Sequence, residues 1–182
     1  SHRLAILAGI AHGTSHIEGF LDSEDCLHTL EAMAALGARV QRDGAAVRIE
    51  GTSGSLQQPA APIDCGNSGT GMRLLTGLLA GFPVSARLFG DSSLHSRPMR
   101  RILEPLARMG ATVRAEGPDG RPPIHIEGGA LQGIDYAPPV ASAQVKSCLL
   151  LAGLRARGVL RITEPAPSRD HTERIFRALG LP

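Results

Sequence analysis

A glycine-rich loop that leads into a predicted helix contains the residue types best suited to chemistry in this sequence. Gly66, Gly69 and Gly71 lie within six positions, with asparagine, serine and threonine between them. Apolar residues with helical spacing follow from Met72. Glycine lets a backbone approach a ligand closely, and the free N–H groups of a helix N-terminus attract anions. Together with Arg73, the loop predicts an anion-binding site, although a glycine-rich helix entry that serves packing alone has the same pattern.

The order of these residues excludes two common phosphate-binding loops. No Gly-Lys-Ser or Gly-Lys-Thr sequence ends the loop, so it is not a Walker motif. The Gly-x-Gly-x-x-Gly spacing of a dinucleotide-binding turn is also missing. The loop therefore predicts an anion site of another kind.

Composition favours an aliphatic core and argues against several classes of partner. The 182 residues are 42% hydrophobic, with four Phe, one Tyr and no Trp. The formal charge is only +2, and no run of Lys or Arg is interleaved with aromatic residues, so no nucleic acid is expected as a partner. No apolar run reaches the roughly 18 residues of a membrane span. Since no signal peptide is visible either, a cytoplasmic protein without membrane contact is predicted.

The sequence predicts neither a metal nor a cofactor. The three cysteines are far apart and form no Cys-x-x-Cys, which favours reduced thiols over disulfides or a zinc site. No cluster of His, Asp and Glu has metal-ligand spacing. Three histidines lie in polar loops, where they could contact a ligand: His2, His95 and His171. The remaining histidines are expected on the surface: His12, His16, His28 and His125.

A tripeptide repeat indicates how the helices that position these loops are organised. Leu-Ala-Gly occurs at equal intervals, at 7–9, 79–81 and 151–153. Each copy is followed by a strand-like segment and by a second helical pattern that ends at Gly37, Gly110 or Gly180. The sequence therefore predicts three units of the order helix, strand, helix, strand, strand, at about 1–62, 63–139 and 140–182. The third unit is expected to lack its last two strands, so the chain is interpreted as a fragment truncated at both ends.

Local signals within these units give further expectations. Ser23 is predicted to cap the second helix. Asp43-Gly44 is predicted to form the turn of a hairpin. Pro105 is expected to kink or interrupt the helix in which it lies. The segment 130–139 is predicted to be a linker.

Polar, serine-rich loops stand at equivalent places in the three units. They precede the first helices at 1–3, 67–70 and 142–147, and the second helices at 22–25, 91–98 and 168–172. Arginine accompanies many of them: Arg3, Arg73, Arg97 and Arg169. Pseudo-symmetry would gather the first-helix N-termini at one end of the domain, which predicts a pocket for a multiply anionic ligand. Ordinary N-capping explains part of the serines but not the arginines.

These loops also carry a resemblance to a known family. The motifs are Ser-His-Arg at 1–3, Gly-Asn-Ser-Gly-Thr-Gly-Met-Arg at 66–73, Gly-Asp-Ser-Ser-Leu-His-Ser-Arg-Pro-Met at 90–99, and Ser-Ala-Gln-Val-Lys-Ser at 142–147 with Ser-Arg-Asp-His-Thr at 168–172. In this order they resemble the N-terminal half of 3-phosphoshikimate 1-carboxyvinyltransferase, the EPSP synthase family. The resemblance covers nearly the whole chain.

The resemblance implies an α/β fold (α+β in some schemes) and an activity. The family has two domains, each built from three βαβαββ units of an inside-out α/β barrel, and they close over the substrates. This chain would be one substrate-binding domain, 1–182, with its third repeat incomplete and the C-terminal domain absent. The family transfers the carboxyvinyl group of phosphoenolpyruvate to the 5-hydroxyl of shikimate 3-phosphate and releases phosphate, a step of aromatic amino acid biosynthesis by the shikimate pathway. The missing C-terminal domain would be the partner.

By motif position, the resemblance assigns two groups of site residues. Those expected to bind shikimate 3-phosphate are Arg3, Ser142, Ala143, Gln144, Ser168 and Arg169. Those expected to bind phosphoenolpyruvate are Asn67, Gly69, Thr70, Arg97 and, again, Gln144. Bidentate Arg contacts and helix N-termini suit phosphate and carboxylate without a metal. Glyphosate, the family's inhibitor, would occupy the phosphoenolpyruvate seat.

Departures from the family pattern limit what can be assigned. The Lys-Ser that precedes the first motif is absent, Ala143 stands where some members have Ser, and Leu74 stands where others have Pro. The acid and base residues of the family lie in the C-terminal domain, so no catalytic residue is assigned and the isolated chain is expected to be inactive.

Two other interpretations stay open at this point. One is a related carboxyvinyltransferase acting on UDP-N-acetylglucosamine, which shares the repeat, although the loops at 67–70 and 92–99 fit the EPSP synthase family better. The other is a non-catalytic phosphate-binding module that kept the repeat and lost the chemistry.

Overall fold

Helix α3 (Gly69–Ala80) lies at the centre of the computed structural model, which describes residues 1–181; Pro182, the last residue of the predicted third unit, lies outside them. Ten of the twelve residues of α3 are buried. The helix packs most extensively against α6 (Ala143–Gly153). The backbones approach closely at Gly77, because a Cβ there would collide with the carbonyl of Cys148. A glycine at this point therefore allows the two central helices to touch.

The N-terminal part forms a helix-backed antiparallel sheet. Its elements are α1 (His2–Ile10), β1 (Thr14–Ile17), α2 (Glu24–Ala35), β2 (Arg39–Asp43) and β3 (Ala46–Glu50), with strand order β1-β3-β2. Ser23 caps α2 by accepting a hydrogen bond from Cys26 N, as predicted. The hairpin turn is displaced by one residue from the prediction, because Asp43 pairs with Ala46 and the loop consists of Gly44 and Ala45. Gly44 supplies the positive φ that such a two-residue turn needs.

The middle part forms a four-stranded sheet of order β4-β5-β7-β6. Its elements are β4 (Ile63–Asp64), α3, β5 (Ser85–Phe89), α4 (Ser92–His95), α5 (Arg100–Arg108), β6 (Thr112–Ala115), a 3₁₀ turn (Pro118–Gly120) and β7 (Ile124–Glu127). Strand β4 is parallel to β5, and the other pairs are antiparallel. Pro105 does not interrupt its helix, since α5 continues through it to Arg108, and the alternative of a kink at Pro105 stays a prediction. Helix α4 was not predicted.

The C-terminal part contains short parallel pairs around α6. Its elements are β8 (Leu131–Gln132), β9 (Asp135–Tyr136), α6, β10 (Ala156–Arg157), β11 (Arg161–Ile162) and α7 (His171–Ala178). Strand β8 pairs with β10, and β9 pairs with β11. The predicted linker at 130–139 therefore contains two strands, whose partners follow α6 in the sequence.

The mixed α/β class is confirmed, and the buried side chains are mostly aliphatic. The order helix, strand, helix, strand, strand is present in residues 2–50, and again in residues 69–127 with α4 inserted. The division into three repeats stays a prediction. In the part of the chain that the structure describes, no helix has the length and apolar character needed to cross a membrane.

Candidate anion-binding site

The glycine-rich loop is held rigidly at the N-terminus of α3. Ser68 is fully buried, and its Oγ accepts a hydrogen bond of 2.9 Å from Gly71 N. Asp64 Oδ1 accepts one of 2.8 Å from Gly66 N. These bonds satisfy backbone donors at the helix entry and fix the loop between β4 and α3.

Arg73 joins this loop to the start of α6. Its Nη1 donates to the carbonyl of Gly69 and to Gln144 Oε1, both at 2.9 Å. The amide of Gln144 in turn donates to Thr70 Oγ1 at 2.8 Å. A third bond, from Arg73 Nη2 to the carbonyl of Pro98 at 3.1 Å, ties the cluster to the segment that follows α4. The predicted residues Gln144 and Thr70 therefore lie together. Arg73 links them to Pro98, the residue that follows Arg97.

Arg97 is oriented by a relay of polar side chains. Its Nη2 donates to Asn67 Oδ1, and Asn67 Nδ2 donates to Asp91 Oδ2 at 2.7 Å. Asp91 Oδ1 caps α4 by accepting from Leu94 N at 2.7 Å. Hydrogen bonds from Asn67 and Leu94 lower the pKa of the Asp91 carboxyl, so it is ionised at neutral pH. The two predicted residues Asn67 and Arg97 are thus in contact.

Gly69 lies where the two guanidinium groups come closest to the loop. A Cβ built on Gly69 would lie 2.8 Å from Arg73 Nη1 and 2.9 Å from Arg97 Nη1. Burial, and next the positive charge of Arg97, lower the pKa of Arg73, although the guanidinium stays protonated. Two like charges beside a helix N-terminus favour an anion as their common partner.

A small cavity extends from this arginine cluster toward α6. Its volume is about 160 Å³, and Arg73, Arg101, Ser142 and Gln144 line it. Ser142 caps α6, because its Oγ accepts from Val145 N at 3.4 Å. Ala143 follows as the first residue of the helix and contributes no polar side-chain atom. The predicted residues Ser142 and Gln144 therefore border the same cavity as Arg73.

Arg3 belongs to a second cationic group, which contacts the next turn of α6. Its Nε donates to Thr172 Oγ1 at 2.5 Å and its Nη2 donates to Ser147 Oγ at 2.9 Å. Burial, and next the positive charge of Arg169, lower the pKa of Arg3. The structure thus brings the predicted residues Arg3 and Arg169 together.

Ser168 is hydrogen-bonded to a partly buried ion-pair network. Its Oγ donates to Glu164 Oε1 at 2.6 Å. Lys146 Nζ lies 2.7 Å from both Glu164 Oε2 and Glu173 Oε1. The side chains of Lys146 and Glu164 are only 11% and 13% exposed, so this network joins α6 to the start of α7 inside the protein.

The histidines fall into different environments. His2 Nδ1 is 2.7 Å from Thr29 Oγ1, and this contact connects α1 to α2. Burial lowers the pKa of His2. His171 is exposed at the start of α7, and His95 is half-buried in α4. His12 and His16 are exposed, as predicted. The surface prediction is wrong for two others, since His28 and His125 are half-buried.

Several residues that organise the site were not in the two groups assigned by the resemblance, although Arg73 was part of the anion site predicted from the loop. Arg73 stands one turn after Gly69, a spacing that the sequence does show. Ser147 and Thr172 are 144 and 169 positions from Arg3, and no local pattern links them. The same is true of Lys146, whose carboxylate partners Glu164 and Glu173 lie beyond strands β10 and β11 in the sequence.

The fold and the site define a mixed α/β protein in which two arginine groups contact the first turns of α6. Proteins of this class are suited to binding phosphorylated or carboxylated small molecules. A family model described as EPSP synthase (3-phosphoshikimate 1-carboxyvinyltransferase) matches residues 1–182. The chain belongs to the EPSP synthase family.

Curated relatives and solved structures agree with this family. A 3-phosphoshikimate 1-carboxyvinyltransferase of Akkermansia muciniphila is 53% identical over 190 residues, covering 100% of this chain and 44% of the relative. One of Caulobacter vibrioides is 52% identical over 181 residues, covering 99% of this chain and 40% of the relative. EPSP synthase from Acinetobacter baumannii superposes with a TM-score of 0.94 at 48% identity, over 98% of this chain and 41% of that structure. The chain thus spans less than half the length of the relatives it matches.

Proposed function

We propose that this chain is the substrate-binding N-terminal domain of an enzyme that transfers the carboxyvinyl group of phosphoenolpyruvate to the 5-hydroxyl of shikimate 3-phosphate. Its relatives bear the name of that activity and match it over nearly its whole length. The observation that carries the proposal is the contact of two separate arginine groups with α6, because the reaction needs two anionic substrates side by side.

The first subsite, for phosphoenolpyruvate, is formed around Gly69. Arg73 and Arg97 supply the positive charge, and the N-terminus of α3 adds its dipole. The carboxylate and phosphate of the substrate would each find a guanidinium fork, with Asn67 holding Arg97 in place. Both cations are preorganised by hydrogen bonds, so little side-chain entropy is lost on binding.

The second subsite, for shikimate 3-phosphate, is formed by Arg3, Arg169 and the entries to α6 and α7. The hydroxyl proton of Ser142 is available to a ligand, because Ser142 Oγ only accepts from Val145 N. Ser168 gives its proton to Glu164, so its hydroxyl would have to rotate before it could donate to a phosphate. Gln144 lies between the subsites and would orient one substrate against the other.

The contribution of this chain is binding and orientation. Acid–base chemistry at the reacting carbon and hydroxyl would come from the remainder of the enzyme, which would cover the substrates and exclude water. On this proposal, the 182 residues act as one domain.

Titration calorimetry of the 182-residue chain tests the proposal directly. We expect weak binding of shikimate 3-phosphate that is measurably stronger than binding of inorganic phosphate, because the ring hydroxyls add contacts near Ser142 and Gln144. Shikimate without its phosphate serves as the second reference and should bind less tightly. Equal affinities for shikimate 3-phosphate and inorganic phosphate would refute a specific shikimate 3-phosphate site.

A further inference from the structure

Two buried hydroxyl groups hold the guanidinium of Arg3. Ser147 on α6 and Thr172 on α7 are each only 1% exposed. Their oxygens are 2.7 Å apart, and each accepts a hydrogen bond from Arg3. Ser147 Oγ also donates to the carbonyl of Ala143 at 2.6 Å. Three helices that are distant in sequence therefore meet at one arginine side chain.

The direction of every hydrogen bond in this group follows from the donors available. Arginine can only donate, so both hydroxyl oxygens accept from Arg3. Ser147 has one proton, which it gives to the carbonyl of Ala143. Thr172 must then be the donor to Ser147. Because both hydroxyl protons are committed inside the protein, these groups are arranged to hold Arg3 and not to bind a ligand themselves.

Arg3 keeps N–H donors that the two hydroxyl groups do not use. A guanidinium has five N–H groups, and two of them are used by Thr172 and Ser147. Within residues 1–181, Nη1 makes no hydrogen bond. Arg3 also lines a cavity of about 490 Å³, and a second guanidinium, that of Arg174, lies in the same lining.

We propose that Ser147 and Thr172 are positioning residues, which fix the Arg3 guanidinium so that its remaining N–H groups address a phosphate or carboxylate. The identity of the anion, shikimate 3-phosphate, rests on the function proposed above. The hydroxyls act through Arg3 and do not touch the ligand.

Substitutions at Thr172 separate this role from simple packing. Thr172→Val keeps the shape of the side chain and removes the hydroxyl, whereas Thr172→Ser keeps the hydroxyl. Thr76→Val is the matched control, since Thr76 is equally buried and bonds only to the carbonyl of Met72 within α3. Ser147→Ala provides a second break in the group in case Thr172→Val does not fold.

The first measurement follows Arg3 itself, by NMR of the ¹⁵N-arginine-labelled 182-residue chain. The Nε–H of Arg3 should exchange slowly with water in the unmodified chain, in Thr172→Ser and in Thr76→Val. It should exchange at least about tenfold faster in Thr172→Val, because its acceptor is gone. Ser147→Ala should shift the Nη2 resonances instead.

The second measurement is the affinity for shikimate 3-phosphate by calorimetry. Thr172→Val and Ser147→Ala should each weaken it by roughly tenfold, with Thr172→Ser close to the unmodified chain, since hydrogen bonds to charged groups are worth more than neutral ones. Thr76→Val should not change it. Affinity for phosphoenolpyruvate should be the same in all variants.

The outcomes distinguish this inference from the proposed function. Unchanged Arg3 Nε–H exchange in Thr172→Val, or unchanged affinity in both hydroxyl-deleting variants, overturns the positioning role. An unmodified chain that shows slow Arg3 exchange but does not prefer shikimate 3-phosphate refutes the proposed function and the ligand named here, while the exchange data still decide whether the hydroxyls hold Arg3.

Discussion

At the scale of single residues, the absence of a side chain at Gly69 lets the guanidinium groups of Arg73 and Arg97 both lie close to the glycine-rich loop. Arg73 donates to the carbonyl of Gly69, and the guanidiniums of Arg73 and Arg97 both lie within 3 Å of the place where a side chain would begin. Bringing like charges together is unfavourable until an anion binds between them. The absence of a side chain therefore creates space and also concentrates positive charge on the loop.

Replacement of Gly69 by alanine should weaken phosphoenolpyruvate binding by roughly tenfold. The added methyl group pushes at least one guanidinium away and removes about one charge-assisted hydrogen bond to the ligand. Titration of the chain with phosphoenolpyruvate checks this expectation. In an assembled enzyme the same change should appear as a higher KM for phosphoenolpyruvate.

Gly129→Ala is the matched control for this substitution. A Cβ at Gly129 meets nothing within 4 Å, so the same chemical change should leave binding intact. Equal affinities for Gly69→Ala and the unmodified chain would contradict the assignment of Gly69 to the phosphoenolpyruvate seat. Equal losses at both glycines would point to a general effect on stability.

At this scale the sequence predicted candidate ligand residues that lie together in the structure, but it did not predict the groups that support them. The resemblance assigned Asn67, Thr70, Arg97 and Gln144 to one subsite, and the structure has them connected through direct bonds and through Arg73. It could not identify the hydroxyls that hold Arg3, because those contacts arise only when α1, α6 and α7 pack together.

At the scale of elements, α6 connects the two arginine groups. Gln144 in its first turn reaches Arg73, and Ser147 one turn later reaches Arg3. Between them, Lys146 points into the ion pairs with Glu164 and Glu173. The first five residues of one helix thus contact both arginine groups and the start of α7, and so position both proposed subsites.

The Lys146–Glu164 pair should make stability depend on pH in acid. Burial alone would raise the pKa of Glu164, but hydrogen bonds from Lys146 and Ser168 outweigh it and lower the pKa below the ordinary value of 4.5. A lowered folded-state pKa gives stability that is present above the unfolded-state pKa and is lost as pH falls through the folded-state value. Glu164→Gln should therefore cost about 1–3 kcal/mol of unfolding free energy at pH 7 and much less near pH 3.

Urea denaturation at both pH values measures this difference. Glu50→Gln is the control, because Glu50 pairs with Arg39 at 3.4 Å on the surface, where an ion pair contributes little. A penalty for Glu164→Gln that stays the same at pH 7 and pH 3 would show that the carboxylate charge is not the source of the stability.

Element boundaries were predictable where the signal was local. Ser23 capping and the 46–50 strand follow from adjacent residues, and the structure has both. Strands β8 and β9 have only two residues each, and they exist because β10 and β11 lie beside them. Their formation depends on packing around α6, so local propensity in 130–139 predicts only a linker.

At the scale of the whole molecule, the chain is less than half the length of the relatives named above. It nevertheless contains both cationic groups, one beside Gly69 and one around Arg3. Within residues 1–181, no residue of either group is assigned a role in acid–base chemistry. Binding and chemistry are therefore proposed to be divided between this chain and the remainder of the enzyme.

Mixing the two parts tests that division. The remainder of the Akkermansia muciniphila relative, meaning the part that this chain does not match, would be produced separately and added to the 182-residue chain. We expect no phosphate release by either part alone. The mixture should release phosphate from phosphoenolpyruvate only when shikimate 3-phosphate is present, because both substrates must be held before the reaction can occur.

Two variants of the chain make this assay specific to the proposed site. Arg97→Ala should lower the activity of the mixture at least about tenfold, since it removes a charged contact to phosphoenolpyruvate. Arg39→Ala removes an equal charge from an exposed ion pair and should leave the activity unchanged. If the parts associate, as sedimentation would reveal, and still release no phosphate, this chain is a binding module without a role in carboxyvinyl transfer. If Arg97→Ala is as active as Arg39→Ala, phosphoenolpyruvate is bound elsewhere.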